Sequence, residues 1–225
     1  MKKIKPRIPE GGAIEDSSGM IMEQYSEIMK KQLGKEYIRF ADNVIRKINP
    51  IENSIVLEIG PGPGWAGISL LKKRKDLKLA GLEASPDMIR VASENVSKEG
   101  FPGLKYFHGF GENMDHINDG QFDFVISRDS LHHWTEPEKV FKEIRRVLKP
   151  NGKLYIHDSR RDMNLFGRLI VAIASKFIPN NMGFYWKSSI AASYTPDEIK
   201  LMLSGIGIND WQVESDLMDL TIYKS

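Results

Sequence analysis

Ile55-Val56-Leu57-Glu58-Ile59-Gly60-Pro61-Gly62-Pro63-Gly64 is the stretch that decides how the chain is read. A short apolar run of this kind is a buried strand. It leads directly into three glycines at alternate positions. Glycine has no Cβ, so the backbone can turn tightly and a ligand can approach it closely. Such a loop at a strand-to-helix junction usually holds a nucleotide-like group; the plainer alternative is a tight turn that binds nothing. Dinucleotide loops space their glycines G-x-G-x-x-G and face a pyrophosphate. Here the third glycine comes one residue early, and Pro61 and Pro63 remove two amide donors. That pattern favours a ligand without phosphates. Glu83 stands 19 residues after Gly64, at the end of the next apolar run. A carboxylate there can accept both hydroxyl protons of a ribose.

Strands and helices alternate outward from this loop. Residues 67–75 read as a helix and 77–82 as the second strand. Ser85 fits an N-cap with Pro86 at the first helical position, opening a helix to about Lys98. Residues 104–107, 122–126 and 153–156 read as further strands. Thr135 and Glu138 match a capping box before a helix whose apolar face carries Val140, Phe141, Ile144, Val147 and Leu148. This rhythm predicts an α/β fold, a doubly wound and mostly parallel sheet with helices on both faces and ligands at one edge. Upstream, residues 1–19 read as irregular. Two helical stripes follow, 21–33 and 37–48, separated by Gly34. Downstream come a probable helix over Leu165–Ile178, the aromatic patch Phe184-Tyr185-Trp186, a second capping box at Thr195–Glu198, and a terminal antiparallel pair near 210–213 and 217–223.

Composition bounds the function. The chain has 225 residues, 41% hydrophobic and 28% charged, enough for one domain with small additions. Its 32 basic and 30 acidic side chains nearly balance, which makes nucleic acid an unlikely partner. There is no cysteine, so thiolate and disulfide chemistry are excluded. The most apolar stretch is interrupted by Arg168 and Lys176 and is too short to be a transmembrane segment. A cytoplasmic protein is expected, as a monomer or homodimer.

At these residues the chain resembles class I S-adenosylmethionine-dependent methyltransferases. It looks most like the branch that includes ubiquinone and menaquinone biosynthesis enzymes and many small-molecule methyltransferases. The landmarks are Glu58–Gly64, then Glu83-Ala84-Ser85-Pro86-Asp87-Met88, Gly111-Glu112-Asn113-Met114, Phe122–Ser127 with Leu131-His132-His133, and Arg146–Gly152. The resemblance implies a seven-stranded, Rossmann-like sheet with N-terminal helices and an inserted helical lid. It implies S-adenosyl-L-methionine as cofactor and a small-molecule methyl acceptor. Gly60, Pro61, Gly62 and Gly64 would pass the methionine part, supported by Glu58. Glu83 would take the ribose, Ala84 and Met88 would sit against the adenine, and Gly111 and Glu112 would offer backbone to its edge. Ser127 and Arg128 would line the methionine end. Phe110 departs from the family, which often has an acid there. A phenyl ring cannot accept the adenine amino hydrogen bond, but it can cover the base.

Residues 1–50 are expected to form a helical segment that is part of a lid. Residues 51–225 would be the cofactor domain, with a substrate-lid insertion at about 159–194. Methyl transfer by in-line displacement needs positioning and exclusion of water more than covalent help. No triad and no metal-ligand spacing is evident. The candidates for a catalytic role are His132, His133 and Tyr25, and those for acceptor contacts are Tyr25, Met29, His132, Tyr185 and Trp186. Asp129 and Asp158 also end strands at the ligand edge, while Arg160 and Arg161 read as solvated surface, with contact to an anionic substrate as the alternative. The competing readings are an RNA or protein methyltransferase, a DNA methyltransferase, a non-catalytic S-adenosylmethionine-binding module, and a nicotinamide dehydrogenase.

Overall fold

The structure is a computed structural model that describes residues 5–9, 22–178 and 182–225. The irregular stretch expected over residues 1–19 therefore lies outside the described residues except for 5–9. Seven strands form one sheet: β1 (Ile55–Ile59), β2 (Lys78–Glu83), β3 (Lys105–His108), β4 (Phe122–Arg128), β5 (Leu148–Ser159), β6 (Gln212–Ser215) and β7 (Asp219–Lys224). Their order is β3-β2-β1-β4-β5-β7-β6. The first five pair in parallel, and β7 runs antiparallel to both β5 and β6. The order reverses between β1 and β4, and crevices at such switch points take the ligands of open α/β sheets.

Side chains of successive strand residues point to opposite faces, so each strand feeds two cores. Leu57, Ile59, Val125, Leu154, Ile156, Leu220 and Ile222 enter one, closed by the helices α4 (Pro137–Val147) and α7 (Pro196–Gly205). Val56, Phe124, Ile126, Tyr155 and Tyr223 enter the other, closed by α1 (Met22–Ile48) and α2 (Trp65–Lys73). On α4 the buried side chains are Val140, Phe141, Ile144 and Val147, a single stripe. Each large apolar side chain so placed contributes roughly 1.5–3 kcal/mol of transfer free energy.

Several expectations need correction. The two N-terminal stripes are one continuous helix, α1. Gly34 costs a helix about 1 kcal/mol, but Tyr37, Phe40, Ala41, Val44 and Ile48 are buried beyond it and hold the helix through that point. Thr135 does not open α4; the helix starts at Pro137 with Glu136 at its N-cap. β5 is longer than expected because it begins at Leu148, with a register irregularity opposite Phe122–Phe124, and it continues past Asp158. The capping signals at Ser85, before α3 (Pro86–Lys98), and at Thr195 are formed as expected. The apolar run Leu165–Ile178 splits into α5 (Leu165–Ala174) and a 3-10 turn, Ser175–Phe177, followed by α6 (Met182–Ala192), which carries Phe184, Tyr185 and Trp186.

Candidate active site

Gly60, Gly62 and Gly64 have φ of +64°, +51° and +83°, a region that L side chains enter at a cost. A Cβ at Gly60 would also run into the Ser130 hydroxyl, whereas at Gly62 nothing lies within 4 Å. Gly62 therefore presents bare backbone to open space. The loop keeps its donors for itself. The Gly60 N–H donates to Leu82 O at 2.9 Å and the Gly64 N–H to Pro61 O at 2.9 Å. The Gly62 N–H donates to Glu83 Oε2 at 2.9 Å. Pro61 and Pro63 have no N–H, so residues 60–64 leave no donor for a phosphate.

Glu83 is held at the same point. Its Oε1 accepts the Ser85 N–H at 3.0 Å, and Ser85 in turn accepts the Met88 N–H at 3.3 Å to cap α3. Each carboxylate oxygen thus has one fixed donor and one further lone pair, which suits two ribose hydroxyls. Glu58 alternates with Leu57 and so faces α2 rather than α4. Its Oε1 accepts the Gly67 N–H at 3.1 Å, while Oε2 is buried with no hydrogen-bond partner. Burial pushes the Glu58 carboxyl up to about 8; the Gly67 N–H opposes this and the nearby Glu83 adds to it.

On the expected adenine side, Met88 is buried with Val91 and Met22, and Tyr25 packs against them. The Ala84 carbonyl lies 3.1 Å from His108 Nε2. Phe110 is exposed, its ring 6.0 Å from that of His108 in an edge-on arrangement. Gly111 backs onto Val140 and Ile59, with no room for a Cβ without movement of Val140. The Glu112 carboxylate accepts the Thr135 N–H at 3.0 Å, a role that the capping-box reading had given to Glu138.

Two residues expected at the methionine end direct their side chains elsewhere. Both belong to β4 itself. Ser127 is buried and donates to Ile59 O at 2.8 Å, stitching β4 to β1. Arg128 turns toward α1, donating to Glu36 O at 2.9 Å and lying 5.0 Å from the Tyr37 ring centroid. It also pairs with Asp129, whose φ of +51° marks a sharp turn out of the strand.

That turn delivers Ser130 to Gly60 and, just beyond it, the 3-10 turn Leu131–His133. His132 is buried and His133 is exposed. The His132 Nδ1 is 2.8 Å from Asp158 Oδ1, and the His132 backbone N–H donates to Asp158 Oδ2 at 2.8 Å. Asp158 reaches this position because it alternates in step with Leu154 and Ile156. Burial works to raise its carboxyl, but the His132 ring and the backbone donors hold it below the usual range. The sequence treated the two histidines alike; the structure buries His132 against Asp158 and leaves His133 exposed. Among the described residues no group of three or more His, Asp or Glu is placed to hold a metal ion.

The remaining candidates separate. Met29 packs into the core beside α2. Tyr185 and Trp186 lie half-buried on α6, which packs against the Leu131–His133 turn. Arg160 pairs with Asp162 at 2.8 Å. Arg161 corrects its reading as solvated surface: it is buried, donating to Lys5 O at 2.9 Å and pairing with Glu198. Two features escaped sequence reasoning. Ser26 on α1 accepts from Trp65 Nε1 at 3.2 Å and from Asn95 Nδ2 at 2.9 Å, and Asn95 also donates to Pro63 O, so α1 is locked to the glycine loop. Ser26 had a signal, a lone hydroxyl inside the apolar stripe of Met22, Tyr25 and Met29. Arg7 had none: it donates to His132 O at 2.8 Å and Ala192 O at 2.6 Å, with its guanidinium 4.4 Å from the Tyr194 ring centroid.

The family model described as a methyltransferase domain matches residues 57–156. The uncharacterized methyltransferase YdaC of Bacillus subtilis is 30% identical over 149 residues, which is 60% of this chain and 80% of that protein. This chain belongs to the class I S-adenosylmethionine-dependent methyltransferases. The methyltransferase shares 26% identity over 146 residues with the demethylmenaquinone methyltransferase of Chlorobaculum tepidum, 64% of this chain and 57% of that protein. A solved structure from Methanococcus maripaludis, assigned as an S-adenosyl-L-methionine-dependent methyltransferase, superposes with a TM-score of 0.76 at 25% identity, covering 97% and 96% of the two chains. S-adenosylmethionine is thus the cofactor of the methyltransferase. The residues present suit it: open backbone at Gly62, a preset Glu83 carboxylate, and an unpartnered buried oxygen on Glu58 able to accept from an ammonium group.

Proposed function

We propose that the methyltransferase acts on a small-molecule acceptor that loses a proton on methylation, with His132 as the base and Asp158 as its positioning partner. The observation that carries this reading is the buried His132–Asp158 pair, reached from the cofactor loop through Ser130 against Gly60. The bound cofactor supplies an electrophilic methyl group on a sulfonium. Glu83 and the glycine loop hold its nucleoside and methionine parts, with Glu58 Oε2 accepting from the amino group. Asp158 keeps a proton on His132 Nδ1, which leaves Nε2 as the basic nitrogen. His132 Nε2 would take the proton that the acceptor gives up on methylation. Ionised Asp158 then stabilises the imidazolium. The N-terminal helix α1 and the described part of the insertion at about 159–194 cover the site and exclude water, with Tyr25 on the cofactor side and Tyr185 and Trp186 on the acceptor side. The relatives named as demethylmenaquinone methyltransferases support a small-molecule acceptor over RNA or protein.

The test is a methyl-transfer assay over a panel of small phenols, amines and enols. With the best acceptor, His132→Asn is expected to lower kcat by roughly 10²–10⁴-fold, in the range of a lost general base, and Asp158→Asn by less. Cofactor affinity measured by calorimetry should not change. Unchanged turnover in His132→Asn would remove the base role while leaving the cofactor assignment intact.

A further inference from the structure

Helix α5 is built inside out. Its buried line is Gly167 and Val171, continued by Ser175 in the next turn, all small or medium residues. The absent Cβ of Gly167 lets the helix lie against the Leu217 backbone. The large apolar residues point the other way. Leu165 is 81% exposed, Phe166 63%, Leu169 54% and Ile173 52%. At about 100° per residue these four fall within an arc of about 100°. Phe177, in the turn that follows, is 81% exposed, and Phe184 on α6 is 70% exposed. A contiguous outward apolar face of this kind marks an interaction surface.

Within the segment that carries that face the charge has one sign. Between Asp162 and Asp197 the sequence contains no Asp or Glu, and its charged residues are Arg168, Lys176 and Lys187. All three are exposed. The near balance of the whole chain hides this local excess. A second copy of the chain would set basic residues against basic residues across a two-fold interface, which is unfavourable. No helix among the described residues is long and apolar enough to cross a membrane.

We propose that the outward face of α5, with Phe177 and Phe184, seats the protein on an anionic lipid surface. The helix lies in the plane of the headgroups, its Leu and Phe side chains enter the acyl boundary, and Arg168, Lys176 and Lys187 meet lipid phosphates. Since α6 packs on the Leu131–His133 turn, the seated surface lies on the acceptor side of the cleft.

Vesicle co-sedimentation of the full chain tests this. Phosphatidylcholine vesicles carrying about 30% phosphatidylglycerol should bind at least about tenfold more protein than pure phosphatidylcholine. Raising the salt from about 0.1 M to about 0.5 M should weaken binding severalfold. The double variant Phe166→Asp/Leu169→Asp should lose binding by at least about tenfold, with S-adenosylmethionine affinity retained as the check on folding. Absence of vesicle binding, or binding untouched by the double variant, overturns the proposal. So does a dimer in sedimentation velocity that the same variant abolishes while vesicles capture nothing, because the face then belongs to a second copy.

Discussion

The two sides of the cleft are built on opposite principles. At the glycine loop the backbone donors are committed in the ligand-free fold: the Gly60 N–H donates to Leu82 O, that of Gly64 to Pro61 O and that of Gly62 to Glu83, and Ser26, Trp65 and Asn95 lock α1 over the loop. On the side proposed for the acceptor, the buried His132–Asp158 pair sits beside helices whose large side chains face outward. The first side is preorganised for one ligand and needs little adjustment. The second is held mainly by backbone anchors from Arg7 and Arg161, and its apolar surface is exposed. Preorganised sites gain affinity by cutting ordering costs, whereas elements with few buried apolar contacts open at low free energy and admit bulky partners.

Substitutions can break or sharpen this contrast. The largest effect is expected at Gly60. Gly60→Ala combines a left-handed backbone, worth about 1–2 kcal/mol, with overlap on Ser130. It should lower thermal stability and abolish S-adenosylmethionine binding in calorimetry, whereas Gly62→Ala should lower stability less. Next is Glu83→Ala, expected to weaken cofactor binding by roughly 10–100-fold, the loss of one or two hydrogen bonds to a charged acceptor, with the melting temperature of the ligand-free protein nearly unchanged. A stability loss matching that of Gly60→Ala would show that Glu83 is chiefly a structural cap. Across the cleft, Arg7→Ala should lower kcat a few-fold at unchanged cofactor affinity, since it releases the His132 carbonyl without touching the cofactor loop. An equal fall in cofactor affinity would erase the distinction between the two sides.

A further prediction concerns pH dependence. The Glu58 carboxyl is raised from 4.5 to about 8 in the fold. The unfolded chain releases that proton near pH 4.5 while the folded chain keeps it, so the stabilisation is fully present below 4.5 and is lost as pH rises to about 8. Urea unfolding of the ligand-free protein at pH 5 and pH 8 should show this slope, and Glu58→Gln should flatten it.

How much of this was legible depended on range. Ser85, Pro86 and the Thr195–Glu198 box cap helices through neighbours three residues away, and both were readable. Thr135 is not the cap: the helix starts at Pro137, and the Thr135 N–H goes to Glu112, 23 residues earlier. Gly34 looked like a break because intrinsic propensity was the visible term, and the burial of Phe40 and Val44 that outweighs it was not. Ser127 and Arg128 were placed at the ligand edge by their position after an apolar run. Their side chains answer to Ile59 and α1, which lie 68 and 92 residues away in the chain.

The sequence by itself determined the parallel sheet, the glycine loop, the carboxylate at the end of the second strand and the loss of two amide donors at Pro61 and Pro63. Each follows from periodicity, from missing Cβ atoms or from missing N–H groups within a few residues. Only the tertiary structure decided which histidine is buried against Asp158, how Glu58 comes to keep an unpartnered oxygen, and which way the apolar side chains of α5 face. Those properties depend on alternation along β5 meeting a turn from β4, on desolvation by α2, and on what covers a helix. None of these is encoded in a local pattern, because burial and pairing arise from segments that are distant in sequence and meet only in the fold.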